Sequence, residues 1–125
     1  MLKRILPLLL APLLLGGCTA TLTNLTPQQQ VRNANNLYPV EVALASKQQT
    51  MRWDSIHPQI VVGSEVYPMR PTPLMTNRWE GLIPVPPGTS SVRYYYKLDY
   101  LENAFGPPKP NSVRSSEYTL RILGQ

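Results

Sequence analysis

Ser91 to Leu101 reads SVRYYYKLDYL. Val92, Tyr94, Tyr96, Leu98 and Tyr100 fall on one side of an extended chain, and Arg93, Tyr95, Lys97 and Asp99 fall on the other. A period of two, carried by aromatic and β-branched residues, predicts a half-buried β-strand. Just upstream, Pro86-Pro87-Gly88-Thr89 is the clearest turn in the chain. A strand over Arg78 to Val85 (RWEGLIPV) precedes that turn.

The same pattern spreads outward. Leu37 to Ser46 (LYPVEVALAS) puts Val40, Val42 and Leu44 on one face and Glu41 on the other. Thr50 to Trp53 is a short strand or loop. Ile56 to Val62 aligns Ile56, Ile60 and Val62, and Gly63-Ser64 turns the chain. Glu65 to Arg70 (EVYPMR) reads as an edge strand, because Pro68 cannot donate to a ladder. Downstream, Asn103 to Ser112 (NAFGPPKPNS) is a Pro/Gly loop. Val113 to Leu123 is the last strand, with Tyr118, Leu120 and Ile122 facing in. About seven short strands, no helix and no repeat predict an all-β, antiparallel β-sandwich. Twelve of the 14 prolines follow residue 17 and oppose long helices.

Val85-Pro86-Pro87-Gly88-Thr89 through Tyr96 resembles the turn into the penultimate strand of fibronectin-III and immunoglobulin-like domains. The resemblance implies a single immunoglobulin-like antiparallel β-sandwich over residues 37–125. It also implies that Tyr94 caps the preceding loop. The Cys-Trp-Cys signature of antibody domains is missing, so the resemblance is one of architecture.

Residues 19–36 (TATLTNLTPQQQVRNANN) are polar and read as a tether ending in a first strand near Ala20 to Leu25. Ahead of them, Lys3 and Arg4 precede an apolar run, Ile5 to Leu15, of 11 residues. A bilayer core of about 30 Å needs about 20 residues, so the run is too short to span it. A basic start, a short apolar run and small residues are the layout of a secretory signal peptide.

Leu15-Gly16-Gly17-Cys18 resembles the lipobox of bacterial lipoproteins. The small residues admit a peptidase to the backbone, and the thiolate of Cys18 is the nucleophile that is alkylated. The resemblance implies a signal peptide over residues 1–17, cleavage between Gly17 and Cys18, and a lipidated Cys18 opening a tether over residues 18–36. Two or more acyl chains hold a protein stably, at about 0.8 kcal/mol per buried CH₂. Thr19 in place of Asp implies the outer membrane, in a Gram-negative host. The whole chain also resembles small uncharacterised Gram-negative lipoproteins, which implies no activity.

The full chain carries 12 basic and 7 acidic residues. Without Lys3 and Arg4, 10 basic residues remain, scattered singly. A nucleic-acid groove needs a clustered patch, so nucleic acid is not an expected partner. A weak attraction to anionic lipid is expected. One cysteine excludes an internal disulfide.

Catalytic groups are few. His57, the single histidine, is expected to be exposed on a strand. Among the seven acids, no two sit at a spacing that guarantees a shared site, so paired-carboxylate chemistry would need convergence from different strands. No metal spacing and no phosphate loop appear, so neither a metal nor another cofactor is expected. The chain is therefore expected to be a non-enzymatic envelope lipoprotein that docks on a protein partner. The alternative is a carbohydrate-binding module, with Tyr95 and Trp79 as exposed stacking rings. Most rings in a small β domain fill core, however.

Overall fold

The computed structural model describes residues 20–124. Ten strands follow one another: β1 (Ala20–Asn24), β2 (Gln29–Val31), β3 (Leu37–Ser46), β4 (Met51–Val62), β5 (Glu65–Pro68), β6 (Arg70–Pro71), β7 (Arg78–Pro84), β8 (Ser91–Glu102), β9 (Lys109–Arg114) and β10 (Tyr118–Leu123). One sheet has the order β1-β3-β7-β6. The other has the order β2-β10-β8-β4-β5, with β9 also on β8. Two such sheets with these crossings form an immunoglobulin-like β-sandwich. All pairings are antiparallel except β2 with β10, which is parallel.

The alternation read in β8 is the alternation found. Tyr94, Tyr96, Leu98 and Tyr100 are buried. Val40, Val42 and Leu44 of β3 meet them from the opposite sheet, joined by Ile60, Ile83, Leu120 and Ile122. Tyr94 and Tyr96 pack edge to face at 5.6 Å between centroids, and Tyr118 closes the trio. Such pairs add about 0.5–1.5 kcal/mol beyond area burial.

The strands exceed seven for identifiable reasons. The polar segment 19–36, in which one strand was expected near Ala20 to Leu25, contributes a strand to each sheet. β1 pairs with β3 from Ala20↔Ser46 to Asn24↔Val42, and β2 pairs with β10. Similarly, Glu65 to Arg70 is not one strand. β5 stays on β4, while β6 crosses to the other sheet and pairs with β7. Lys109 to Ser112, expected as loop, joins Val113 and Arg114 in strand β9, so the expected last strand from Val113 to Leu123 is divided between β9 and β10. The register of β9 on β8 differs by one residue from that of β10, so one edge of β8 is shared by two strands.

Serine hydroxyls mend two ladder irregularities. Ser115 Oγ accepts the Tyr96 N–H at 2.9 Å between β9 and β10. In β4 the register shifts between Arg52 and His57. There Ser55 Oγ accepts the Leu101 N–H at 2.8 Å and donates to the Arg52 carbonyl at 2.5 Å. Each hydroxyl satisfies a main-chain group that a bulge would strand.

Candidate functional site

The two segments that change sheet shape the surface. Between β1 and β2, Leu25, Thr26 and Pro27 leave one sheet for the other. A polar node holds this crossing. Tyr96 Oη donates to Asn24 Oδ1 at 2.6 Å, and Asn24 Nδ2 donates to Tyr94 Oη at 2.9 Å. Thr26, the buried polar residue of the described chain, accepts the Glu41 N–H at 2.8 Å and stands 3.1 Å from Tyr96 Oη. Burial pushes the Tyr96 phenol far above its ordinary range; the Thr26 contact opposes that shift and the neighbouring Tyr94 adds to it. Tyr94 therefore does not cap the loop before β8. Its hydroxyl reaches Asn24, 70 residues upstream, because β1 fills the space above it.

The second crossing, Tyr67 to Arg70, runs over Gly81 of β7. A Cβ on Gly81 would lie 2.8 Å from Ile60 Cδ1 and 3.4 Å from the Pro68 carbonyl oxygen. A side chain at this position would require the buried Ile60 to shift.

Between the two crossings lies a cleft of about 700 Å³, within the usual range for ligand sites. β3 and β7 form its floor. Leu25 and Pro27 line one side, Tyr67 and Met69 the other, and Pro39 and Leu82 complete an apolar surround. Two carboxylates stand in it. Glu41 and Glu80 are direct cross-strand partners, an arrangement of like charges that costs stability unless it is compensated. Arg70 pairs with Glu80 at 3.0 Å. Glu41 receives only the Thr72 hydroxyl, at 3.1 Å. The three charges leave the cleft with one net negative charge.

A second cleft, about 710 Å³, lies on the outer face of the other sheet, lined by Ser55, His57, Asp99, Asn111 and Ser112 among others. His57 is exposed, as expected, and sits opposite Asp99. The Asp99 carboxylate is already engaged, by Gln59 Nε2 at 3.0 Å and by Lys97 Nζ at 3.7 Å. The Ser55 hydroxyl proton goes to the Arg52 carbonyl. Serine, histidine and aspartate thus share a cleft without the hydrogen-bond chain that nucleophilic catalysis requires. Among the described residues, no three His, Cys, Asp or Glu side chains converge as a metal site would.

The two rings expected as stacking contacts do not meet. Trp79 is only 6% exposed and belongs to the core. It shares the inward parity of Ile83 and Val85, a signal present in RWEGLIPV. Tyr95 does face outward on β8, but the Arg114 guanidinium lies 3.9 Å from its ring centroid. Cys18 and Gly17 lie outside the described residues. The meetings of Glu41 with Glu80 and of His57 with Asp99 were not read from sequence, because no local spacing reports a register between distant strands. No family model, no curated protein and no solved structure matches the chain.

Proposed function

We propose that this chain is a lipoprotein of the cell envelope, acylated at Cys18 after cleavage behind Gly17, whose β-sandwich is a non-enzymatic protein-interaction module. In a Gram-negative host, Thr19 favours the outer membrane. The cleft over β3 and β7 carries the interaction part of this reading. Its apolar walls and single uncompensated negative charge suit a partner segment that presents a lysine or arginine among apolar side chains. The anchor rests on the Leu15 to Cys18 motif. With β1 starting at Ala20, two residues beyond Cys18, the reach between lipid and sheet is at most about 7 Å. The sandwich would then sit against the bilayer with no tether.

Two experiments test this. Intact mass of the native protein should show an acylated chain beginning at Cys18; bare polypeptide mass would remove the anchor. A photo-crosslinker at Leu82 in cells should give one dominant envelope-protein adduct, weakened by Glu41→Gln. An adduct indifferent to that change, or none, would remove the docking role.

The second reading, a glycan-binding module, now rests on the other cleft. His57, Asp99, Asn111 and Ser112 are residue types that hydrogen-bond sugar hydroxyls, and Tyr95 lies on the same face. A glycan array comparing the native protein with Asn111→Ala and Tyr95→Ala decides it. Equal absence of binding for all three ends that reading.

A further inference from the structure

The strand directions gather one set of loops at one end. Ala20 pairs with Ser46, so the chain enters the sandwich beside the β3–β4 connection. The Leu44 N–H donates to the Asn77 carbonyl, which places the β6–β7 loop (72–77) at that same end. Met51 pairs with Glu102, and Glu102 with Lys109, which brings the β8–β9 loop (103–108) there too.

Two of these loops carry a large apolar side chain wholly in solvent. Leu74 is 103% exposed and Phe105 is 107% exposed. Leu74 also has a φ of +67°, a left-handed conformation that a leucine rarely adopts. The Leu74 backbone closes a turn, with the Met75 N–H donating to the Thr72 carbonyl at 3.1 Å, but neither the ring nor the alkyl chain packs on the fold. Residues 47–50, 72–77 and 103–109 contain no Asp or Glu, and exposed Lys47 and Lys109 lie among them.

We propose that this end of the sandwich seats on a lipid bilayer, with Leu74 and Phe105 inserted into the interface as two separate points. A protein partner would call for a contiguous apolar patch. Isolated apolar tips with lysines beside them suit an interfacial layer of acyl chains under headgroups. The entry point of the chain at Ala20 brings the same end toward the lipid on Cys18, and to that extent the inference rests on the anchor reading. Insertion would fix the tilt of the domain and hold the cleft in a constant orientation, since it lies past Asn24, where β1 leaves the sheet.

The test uses the full native protein in vesicles of phosphatidylcholine and phosphatidylglycerol. Leu74→Cys, Phe105→Cys and Ala34→Cys are each labelled with bimane; with Cys18 acylated, the introduced thiol is the only free one. Bimane at 74 and 105 should shift to the blue, lose access to aqueous iodide and be quenched by nitroxide lipids. Bimane at 34, in the turn at the opposite end, should do none of these. Hydrogen exchange on the unsubstituted protein should show vesicle-dependent protection of residues 72–77 and 103–106. Equal iodide access at all three sites, or no protection, overturns the proposal. An acylated protein with tips in water defeats this inference alone. Inserted tips on a chain of bare polypeptide mass defeat the anchor reading alone.

Discussion

At the far end of the sandwich one guanidinium ties two turns together, while at the end where the chain enters two apolar side chains stand free. Arg32 donates to Asn36 Oδ1 at 3.1 Å, to the Val85 carbonyl at 2.8 Å and to the Thr89 carbonyl at 2.6 Å. Its guanidinium also lies 5.8 Å from the Tyr38 ring centroid. Both ends contain a non-glycine residue with positive φ. At the far end it is Asn36, at +59°, a residue type that tolerates this region and here is hydrogen-bonded. At the near end it is Leu74, whose left-handed backbone costs about 1–2 kcal/mol; the turn it sits in is closed by the Met75 N–H donating to the Thr72 carbonyl at 3.1 Å, but its side chain makes no compensating contact. The base of the near end is tied, since Glu102 accepts from Gln48, Thr50 and Asn111. Only its tips are bare. Loops optimised for the fold look like the far end; loops kept at a cost to the fold point to something outside it.

Four measurements can break or sharpen this contrast. The largest effect is expected between the ends. Tyr96→Ala removes a fully buried ring and the centre of the polar node, and should cost about 3–5 kcal/mol in urea unfolding. A loss under 1 kcal/mol would show that the node does not couple β1 to β8. Next, Arg32→Ala should lower stability by about 2–3 kcal/mol, because charge-assisted hydrogen bonds to three acceptors in two turns are lost together. An unchanged midpoint would make the far end as loosely held as the near one.

The third measurement is pH dependence. Burial raises the folded pKa of Tyr96 above the ordinary phenol value of 10.0, and raises that of Tyr100 with help from the Glu102 charge. A raised phenol pKa means that the folded state holds its proton when the unfolded state has released it. Stability is then insensitive to these groups below pH 10 and falls above it, by up to about 1.4 kcal/mol per pH unit for each phenol. Tyr96→Phe should flatten the slope, and an identical alkaline slope in that variant would refute the assignment. The smallest effect is expected at the tips, and with the opposite sign. Leu74→Gly should raise stability in detergent solution by about 1 kcal/mol through relief of the left-handed backbone. Phe105→Ser should stay within about 0.5 kcal/mol. Destabilisation by either change would mean that the tips serve the fold.

The strand faces were legible because each rests on local alternation. Residues 92–100 and Val40, Val42 and Leu44 lie as their parity demands. Trp79 was readable in the same way, from its parity with Ile83 and Val85, although ring exposure was expected of it. Within the polar segment 19–36 the strand expected near Ala20 to Leu25 lies at Ala20–Asn24, whereas Gln29–Val31 was not read, because a three-residue edge strand buries little. β1 presents Thr21 and Thr23 to water and packs Ala20 and Leu22 against the core, which is the alternation that marked it, whereas β2 is too short to show one. Lys109–Ser112 was missed for a related reason. Its backbone ladder on β8 defines it, and its side chains are exposed. Glu41 with Glu80, and His57 with Asp99, depend on pairing across 39 and 42 residues of chain, which no window of sequence reports.

By itself the sequence determined what one backbone can express locally: the period of two, the turns at Gly63 and Gly88, the all-β class and a lipobox-like Leu15 to Cys18. Register, sheet crossings, the paired carboxylates and the gathering of Leu74 and Phe105 at one end were decided by the tertiary structure. The physical reason is that alternation is a property of successive Cβ atoms. Which strands stand opposite one another is settled only when all the buried faces are satisfied at once.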